Sequence, residues 1–403
     1  MMQVGEEKET VPNQRIFGHI KGDGQGPTLV FFGGIHGNEP AGVAALKSVF
    51  EALEQKSHDL KGEVYALLGN MAAYGAGQRF QEEDLNRIWL PSRVAQLRAE
   101  SPVPTADGLE MKKLHRAIHH ILDTSAPPFY FYDIHTTSGK TAPFLVVNDS
   151  LLNRRYTAHY PLPSILGIEE YLHGALLSYI NELGYVSFGF EAGQHLDPSA
   201  VAVAKDFIWY SMALAGCFGT KVQDLKDLKK RLSAYGPKDA RFFEIYHQYD
   251  IQPGEHFQMM PGFDNFQVIP KGTPLAHSNG RPIITQKKRR IFMPLYQKKG
   301  SEGFYYIRKT PRLFLALSSY LRKWRADEVL ARLPGVSWAS ANKEALMVDR
   351  RVARYFAKSV FHLLGFRARE QDKAHFIVRS REEASKTTDY LSAPWYKKSP
   401  WKE

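Results

Sequence analysis

Apolar positions along the first 235 residues alternate between two periods. Thr28-Leu29-Val30-Phe31-Phe32 is a continuous apolar run closed by Gly33-Gly34, the length and composition of a buried strand. Pro40 to Leu53 then follows helical spacing, with proline near the first turn, where a missing N–H does little harm. Glu63 to Leu68 reads as a second strand. Leu109, Met111, Leu114, Ala117, Ile118, Ile121 and Leu122 fall on one helical face. Phe129–Ile134, Phe144–Val147 and Tyr185–Phe190 are further strands. Glu169–Leu183 reads as a helix, and Asp197-Pro198 starts another that runs to about Cys217, with Asp197 as N-cap. Strands alternating with helices predict an α/β sheet covered on both faces over residues 14–235.

The pattern shortens after Gly236-Pro237. Turn pairs such as Pro253-Gly254, Pro261-Gly262 and Asn279-Gly280 separate extended stretches, including Phe266–Ile269 and Phe304–Ile307. Residues 236–310 therefore read as a small all-β domain. Beyond Thr310-Pro311 the spacing becomes helical again, over Leu313–Arg325 and Lys343–Leu364, and the last fifteen residues read as a tail. Residues 311–403 are expected to be a basic, mainly helical extension.

Composition narrows the class. The chain has 403 residues and is 43% apolar, enough for a large core. No apolar run approaches the roughly 18 residues of a membrane span, and Met1–Arg15 is polar, without a signal-like apolar core. Cys217 is the single cysteine, which excludes internal disulfides and thiolate clusters. A cytoplasmic protein is the simplest reading. Residues 1–236 hold 22 Lys and Arg against 26 Asp and Glu, whereas residues 237–403 hold 31 against 16. The basic excess thus belongs to the C-terminal part, where solvated surface lysine and arginine explain it. The run Lys287-Lys288-Arg289-Arg290 has no accompanying reading platform and suits the end of a β-hairpin, so no nucleic-acid or membrane partner is expected.

Three motifs carry chemistry. Gly33-Gly34-Ile35-His36-Gly37-Asn38-Glu39 follows a strand, and Asp133-Ile134-His135 ends another. His36, Glu39 and His135 together supply two imidazoles and a carboxylate, a ligand set that catalytic zinc uses while leaving one position to water. Asp133 shares the strand face of His135 and reads equally as an orienting group or a structural acid. Arg79 precedes Asp84-Leu85-Asn86-Arg87, a cluster suited to gripping a carboxylate. Gly189-Phe190-Glu191-Ala192-Gly193 sets a carboxylate at the end of an apolar strand, where a proton acceptor for zinc-activated water is needed. His119-His120 point in different directions on a helix, and His195 reads as an ordinary loop histidine.

In chain order, with the Arg79 and Asp84–Arg87 cluster between the His36 and His135 segments and the Glu191 segment last, the motifs resemble the succinylglutamate desuccinylase/aspartoacylase family, relatives of the zinc carboxypeptidases, over about residues 25–220. The stretches Met260–Phe263, Met293–Tyr296 and Gly303-Phe304 resemble that family's small C-terminal domain. The resemblance implies an α/β fold: a zinc-carboxypeptidase-like α/β/α mixed sheet with a small all-β domain and, here, a helical C-terminal extension. It implies one zinc per chain on His36, Glu39 and His135, with Glu191 as general base. Arg79 would polarise the scissile carbonyl, and Asn86 and Arg87 would hold a substrate carboxylate. The implied reaction is hydrolysis of a small anionic N-acyl amino acid. A carboxypeptidase-like metallopeptidase and a non-catalytic binding protein on the same fold are the alternatives. Oligomeric state is open. Asn70-Met71-Ala72 departs from the family, many members of which have proline after the asparagine. The acyl pocket is not placed by motif. Arg154, Arg155 and Tyr156 are candidates for it, with a surface helix the favoured reading.

Overall fold

A computed structural model describes residues 15–55, 59–218, 225–236, 242–324, 331–332, 335–339, 345–349, 366–370 and 375–398. Residues 1–14, read above as a polar N-terminus, lie outside them. The first seven strands are β1 (Ile16–Lys21), β2 (Gly24–Gly33), β3 (Lys61–Leu68), β4 (Phe129–Thr137), β5 (Phe144–Val147), β6 (Ser164–Leu166) and β7 (Val186–Gln194). Parallel β3, β2, β4 and β7 form the centre of a mixed sheet. The alternation within β2 shows why. Leu29 and Phe31 face α1 (Pro40–Glu54) and the later helix α7 (Pro198–Ala215), whereas Val30 and Phe32 face the opposite layer. That layer holds α4 (Ala106–Thr124) and α6 (Leu176–Glu182), and short helices α2 (Met71–Gly75), α3 (Pro91–Arg98) and α5 (Leu151–Thr157) lie in the connections. Strands buried on both faces need apolar residues at every position, which is what the run supplies.

The sheet does not stop at Gly236. After α8 (Leu225–Tyr235), strand β8 (Phe242–Asp250) pairs in parallel with β6. The later strands are β9 (Phe257–Met259), β10 (Val268–Ile269), β11 (Pro274–Ser278), β12 (Arg281–Ile284), β13 (Arg289–Phe292) and β14 (Glu302–Lys309). The large sheet runs β1-β3-β2-β4-β7-β5-β6-β8-β14-β13-β10, and β12-β11-β9 form a second, three-stranded one. Pairing between β6 and β8 therefore fastens the β-rich part to the rest of the sheet, beside the site described below.

Four expectations are corrected. The helix over 169–183 is broken into a turn at Ile168–Glu170 and α6, because Gly174 takes φ +70° and packs on the Arg87 carbonyl, where a Cβ would sit at 2.0 Å. The helix α5 is not on the surface: Asn153 and Tyr156 are fully buried and Arg154 nearly so. Helix α9 (Arg312–Lys323) covers most of the expected Leu313–Arg325 helix, whose last residue lies outside the described residues, but Ala345–Asp349 is a strand. As β16 (Ala345–Asp349) it joins β15 (Val336–Trp338), β17 (Phe366–Glu370) and β18 (His375–Ser380) in an antiparallel sheet ordered β15-β16-β18-β17. Leu346 and Val348 are buried on one face of β16, a period-two pattern that pairing with β18 selects over a helix. The rest of that expected helix, at 343–344 and 350–364, lies outside the described residues. The expected tail is also docked: Tyr390 and Trp395 are buried in the main core, and Trp395 Nε1 donates to the Tyr130 hydroxyl at 2.8 Å.

Candidate metal and catalytic centre

The carboxyl ends of β2, β4 and β7 lie side by side, and each delivers one part of the site. The crevice beyond strand ends is where open α/β sheets take ligands. The chain leaves β2 through Gly34 at φ +69°, then passes so close to α2 that a Cβ on Gly37 would lie 2.1 Å from the Ala73 carbonyl carbon. Only glycine tolerates both demands. The turn carries His36, and Glu39 stands immediately before α1. His135 lies at the end of β4, directly opposite Glu191 of β7 in the strand register.

The three proposed ligands converge. His36 Nδ1 is 2.9 Å from Glu39 Oε1, and His135 Nδ1 is 2.9 Å from Glu39 Oε2. One ligand atom from each residue lies within 4.8 Å of the other two, and all three residues are buried. The far nitrogen of each ring meets a carboxylate. His36 Nε2 is 3.1 Å from Asp84 Oδ1, and His135 Nε2 is 2.6 Å from Asp133 Oδ2. This is how ligand imidazoles are oriented, with Nδ1 turned toward Glu39 and the position a shared cation would take. Glu191 Oε2 is buried with no hydrogen-bond partner, as expected of a carboxylate awaiting a ligand or water. The donor set fits a divalent cation.

The electrostatics follow from burial and close charges. Burial alone would raise Glu39, but His36 and His135 hold it well below the usual carboxylate range. Burial would lower His135, yet Asp133 and Glu39 raise it well above an ordinary histidine. Asp84 resists burial through His36, Arg79 and Arg87 and is held far down. Glu191 behaves oppositely. Burial, helped by the Glu39 and Asp133 charges and opposed by His135 and Arg79, pushes its carboxyl up to about 8. Two acids in one pocket thus have divergent proton affinities.

Arg79 donates through Nε and Nη2 to Asp84 Oδ2 at 3.2 and 3.0 Å, and its Nη1 lies 3.6 Å from Glu39 Oε1. Asn86 uses its Oδ1 to accept from the Leu176 N–H at 2.9 Å, which fixes the loop against α6. Arg87 donates Nη1 to the Asn86 carbonyl at 2.9 Å, and its Nε reaches Glu302 Oε1 at 3.4 Å. All seven residues singled out from the sequence line one cavity of about 130 Å³. Arg154, Arg155 and Tyr156 do not line it. Arg154 pairs with Asp149, and Arg155 stacks on Tyr396.

Sequence reasoning missed several contributors. Asp84 orients His36 and braces Arg79 at once; its place two residues before Asn86 was the available signal. His195, read as an ordinary loop residue, lines the cavity, with Nδ1 2.8 Å from Thr136 Oγ1. Glu302 and Tyr305 of β14 also line it. A lone acid opening an aromatic strand was a weak hint of the first. A larger cavity, of about 900 Å³, includes Trp89, Arg98 and Arg381 but none of the proposed ligands. Its position away from the metal group argues against chemistry there.

Comparison with known proteins bears on the family and the fold. Residues 25–204 match the model of the succinylglutamate desuccinylase/aspartoacylase catalytic domain. The succinylglutamate desuccinylases of Burkholderia pseudomallei (strain 1710b) and Burkholderia mallei (strain ATCC 23344) are 35% identical over 77 residues. That match takes in 19% of this chain and only 22% of those relatives. Among solved structures, a succinylglutamate desuccinylase/aspartoacylase from Rhodobacter sphaeroides superposes with a TM-score of 0.51 at 18% identity, covering 72% of this chain and 88% of its own. The product-bound ectoine utilization protein EutE (DoeB) from Ruegeria pomeroyi gives 0.53 at 17% identity, covering 73% and 88%. These structures support the α/β fold, which agrees with the sequence reading.

Proposed function

Residues 25–204 belong to the succinylglutamate desuccinylase/aspartoacylase family, a family of deacylating hydrolases, and from that premise we propose that the chain is a zinc-dependent amidohydrolase acting on N-acyl amino acids. One observation carries the reading. Two imidazoles present Nδ1 to a shared carboxylate, each is backed by its own aspartate, and a buried carboxylate oxygen without a partner stands beside them.

His36, Glu39 and His135 would hold the ion, and zinc suits two imidazoles and one carboxylate. When bound, it supplies a Lewis acid that brings the pKa of a water from about 16 to about 7. Glu191 takes the proton of the attacking water and returns it to the departing amine nitrogen. Its raised proton affinity suits a group that must both accept and release a proton near neutrality. Arg79, aimed by Asp84, donates to the carbonyl oxygen as negative charge grows there, an effect worth about 3–4 kcal/mol for a well-placed donor. Arg87 and the amide nitrogen of Asn86 hold the carboxylate of the amino acid. Residues 14–235 are proposed as the catalytic unit. Residues 236–310, part of whose strands continue the main sheet, are proposed as a β-rich unit that lends one cavity wall, and residues 311–403 as a basic extension.

The test is amine release by the zinc-loaded full chain from a panel of N-acyl amino acids and C-terminally free peptides. Glu191→Gln is expected to lower turnover by about 10²–10⁴-fold with zinc retained. Near-full turnover in that variant would remove Glu191 from its role, and preferential peptide cleavage would replace the reading with a metallopeptidase.

A further inference from the structure

The cavity has two chemically different ends. Around the proposed metal group it is charged. Away from it, the wall is hydrocarbon: Val146, Ile168, Leu172 and Leu177. The β7 alternation explains how this end meets the reacting centre. Gly189 lies two residues before Glu191 and so shares its face of the sheet. It pairs with Val146 of β5 in the antiparallel register. A Cβ built on Gly189 would lie 3.5 Å from Leu177 Cδ1 and 3.5 Å from Val146 Cβ, an ordinary contact distance. The missing side chain therefore leaves a methyl-sized recess against Leu177 and Val146, with the Val146 carbonyl oxygen 3.8 Å away and the acid Asp133 as the neighbour on β4, on the strand that bears the proposed base.

Charge is distributed just as unevenly. Among the described residues that line the cavity, the only lysine or arginine side chains are those of Arg79 and Arg87. Arg79 is aimed beside the metal group by Asp84. Arg87 keeps further N–H groups for one carboxylate beside its contact with Glu302. Beside this end, Asn148 Nδ2 donates to Ser178 Oγ at 3.0 Å, and both of these polar groups are uncharged, so neither offers a second carboxylate a countercharge. A second carboxylate on the substrate would meet hydrocarbon instead of a cation, and an unpaired buried charge is strongly disfavoured.

We propose that the substrate is a monocarboxylate: an N-acyl amino acid with one carboxylate at Arg87 and an uncharged, apolar arm seated over Gly189, Val146 and Leu177. This rests on the amidohydrolase reading for its reaction but not for its binding preference.

The experiment separates the two. Calorimetric titration of the zinc-loaded Glu191→Gln chain would use matched pairs: N-acetylleucine against N-acetylaspartate, and N-butyrylleucine against N-succinylleucine. The monocarboxylate of at least one pair is expected to bind on the order of 100-fold more tightly, given the penalty for an unpaired buried carboxylate. The pair that discriminates identifies the arm on the floor. Adding Gly189→Ala should weaken that ligand by about 10-fold, the scale of one methylene in an apolar pocket, and leave N-acetylglycine within about threefold. Equal or tighter binding of both dicarboxylates overturns the inference, as does a Gly189→Ala chain whose affinities do not move. Preference for monocarboxylates without hydrolysis by the Glu191 enzyme would uphold the pocket and reject the amidohydrolase. Absence of binding by every ligand would reject both.

Discussion

Replacing Asp133 by asparagine tests the proposed metal centre through a residue that would not touch the ion. Asp133 is completely buried, and its Oδ2 lies 2.6 Å from His135 Nε2. The substitution keeps volume and shape but removes the charge that fixes the ring with Nδ1 toward Glu39. Loss of such a supporting partner weakens metal binding by about 10–100-fold, or about 1.4–2.8 kcal/mol. Full burial and the short contact put Asp133→Asn in the upper half of that range, about 30–100-fold. Asp84→Asn is the internal comparison. Its contact with His36 is longer, at 3.1 Å, and its side chain is 14% exposed, so its effect on zinc affinity falls in the lower half, about 10–30-fold. Asp84 also braces Arg79, so turnover should fall further than the lost affinity explains. The assay is competition of the full chain against a chromophoric zinc chelator, with circular dichroism to show that the fold is kept. A zinc Kd for folded Asp133→Asn within threefold of wild type would refute the argument that this carboxylate orients a ligand.

Two further outcomes follow from other parts of the fold. Asp149 accepts from Arg154 Nη2 at 2.7 Å, Arg322 Nη2 at 2.9 Å and Arg381 Nη1 at 2.9 Å, which ties α9 and the segment after β18 to the central sheet. Asp149→Ala should destabilise the protein by about 3–5 kcal/mol in urea unfolding, because it strands buried guanidinium charge; a change below about 1 kcal/mol would disprove the coupling. Glu63 is buried, and hydrogen bonds from Lys21, Tyr65, His19 and Ser125 overcome that burial and hold its carboxyl down at about 2. A depressed folded-state pKa stabilises above the unfolded value of 4.5, and that stability is lost as pH falls toward 2. Glu63→Gln should therefore be less stable than wild type at pH 6, with the gap closing between pH 4.5 and 2; a gap independent of pH would count against the assignment.

Much of the site was legible because its chemistry sits in short segments. The spacing of His36 and Glu39, the pair Asp133 and His135, and Glu191 at a strand end are local patterns, and β2, β4 and β7 bring them together at their neighbouring carboxyl ends. What stayed hidden depends on contacts across the chain. Glu302 meets Arg87 from 215 positions away. Tyr156 and Trp395 are 239 positions apart in the chain, yet their rings pack at 4.8 Å. Nothing near either residue in the sequence announces the other. The broken helix at Gly174 was missed for a related reason: apolar spacing around it is helical, and only the close approach to the Arg87 carbonyl forces the left-handed turn.

The sequence by itself determined the alternation of strand and helix through residue 235 apart from the break at Gly174, the identity of the proposed ligands and base, and the absence of a thiolate alternative. These follow from periodicity and from residue type, which act over a few positions. Tertiary structure decided that the β-rich segment continues the main sheet, that Asp84 and Asp133 back the two imidazoles, and that Gly189 opens onto hydrocarbon. It also decided that the C-terminal residues dock in the core. Burial and charge pairing settle those points, and both depend on which distant segments fill the same space.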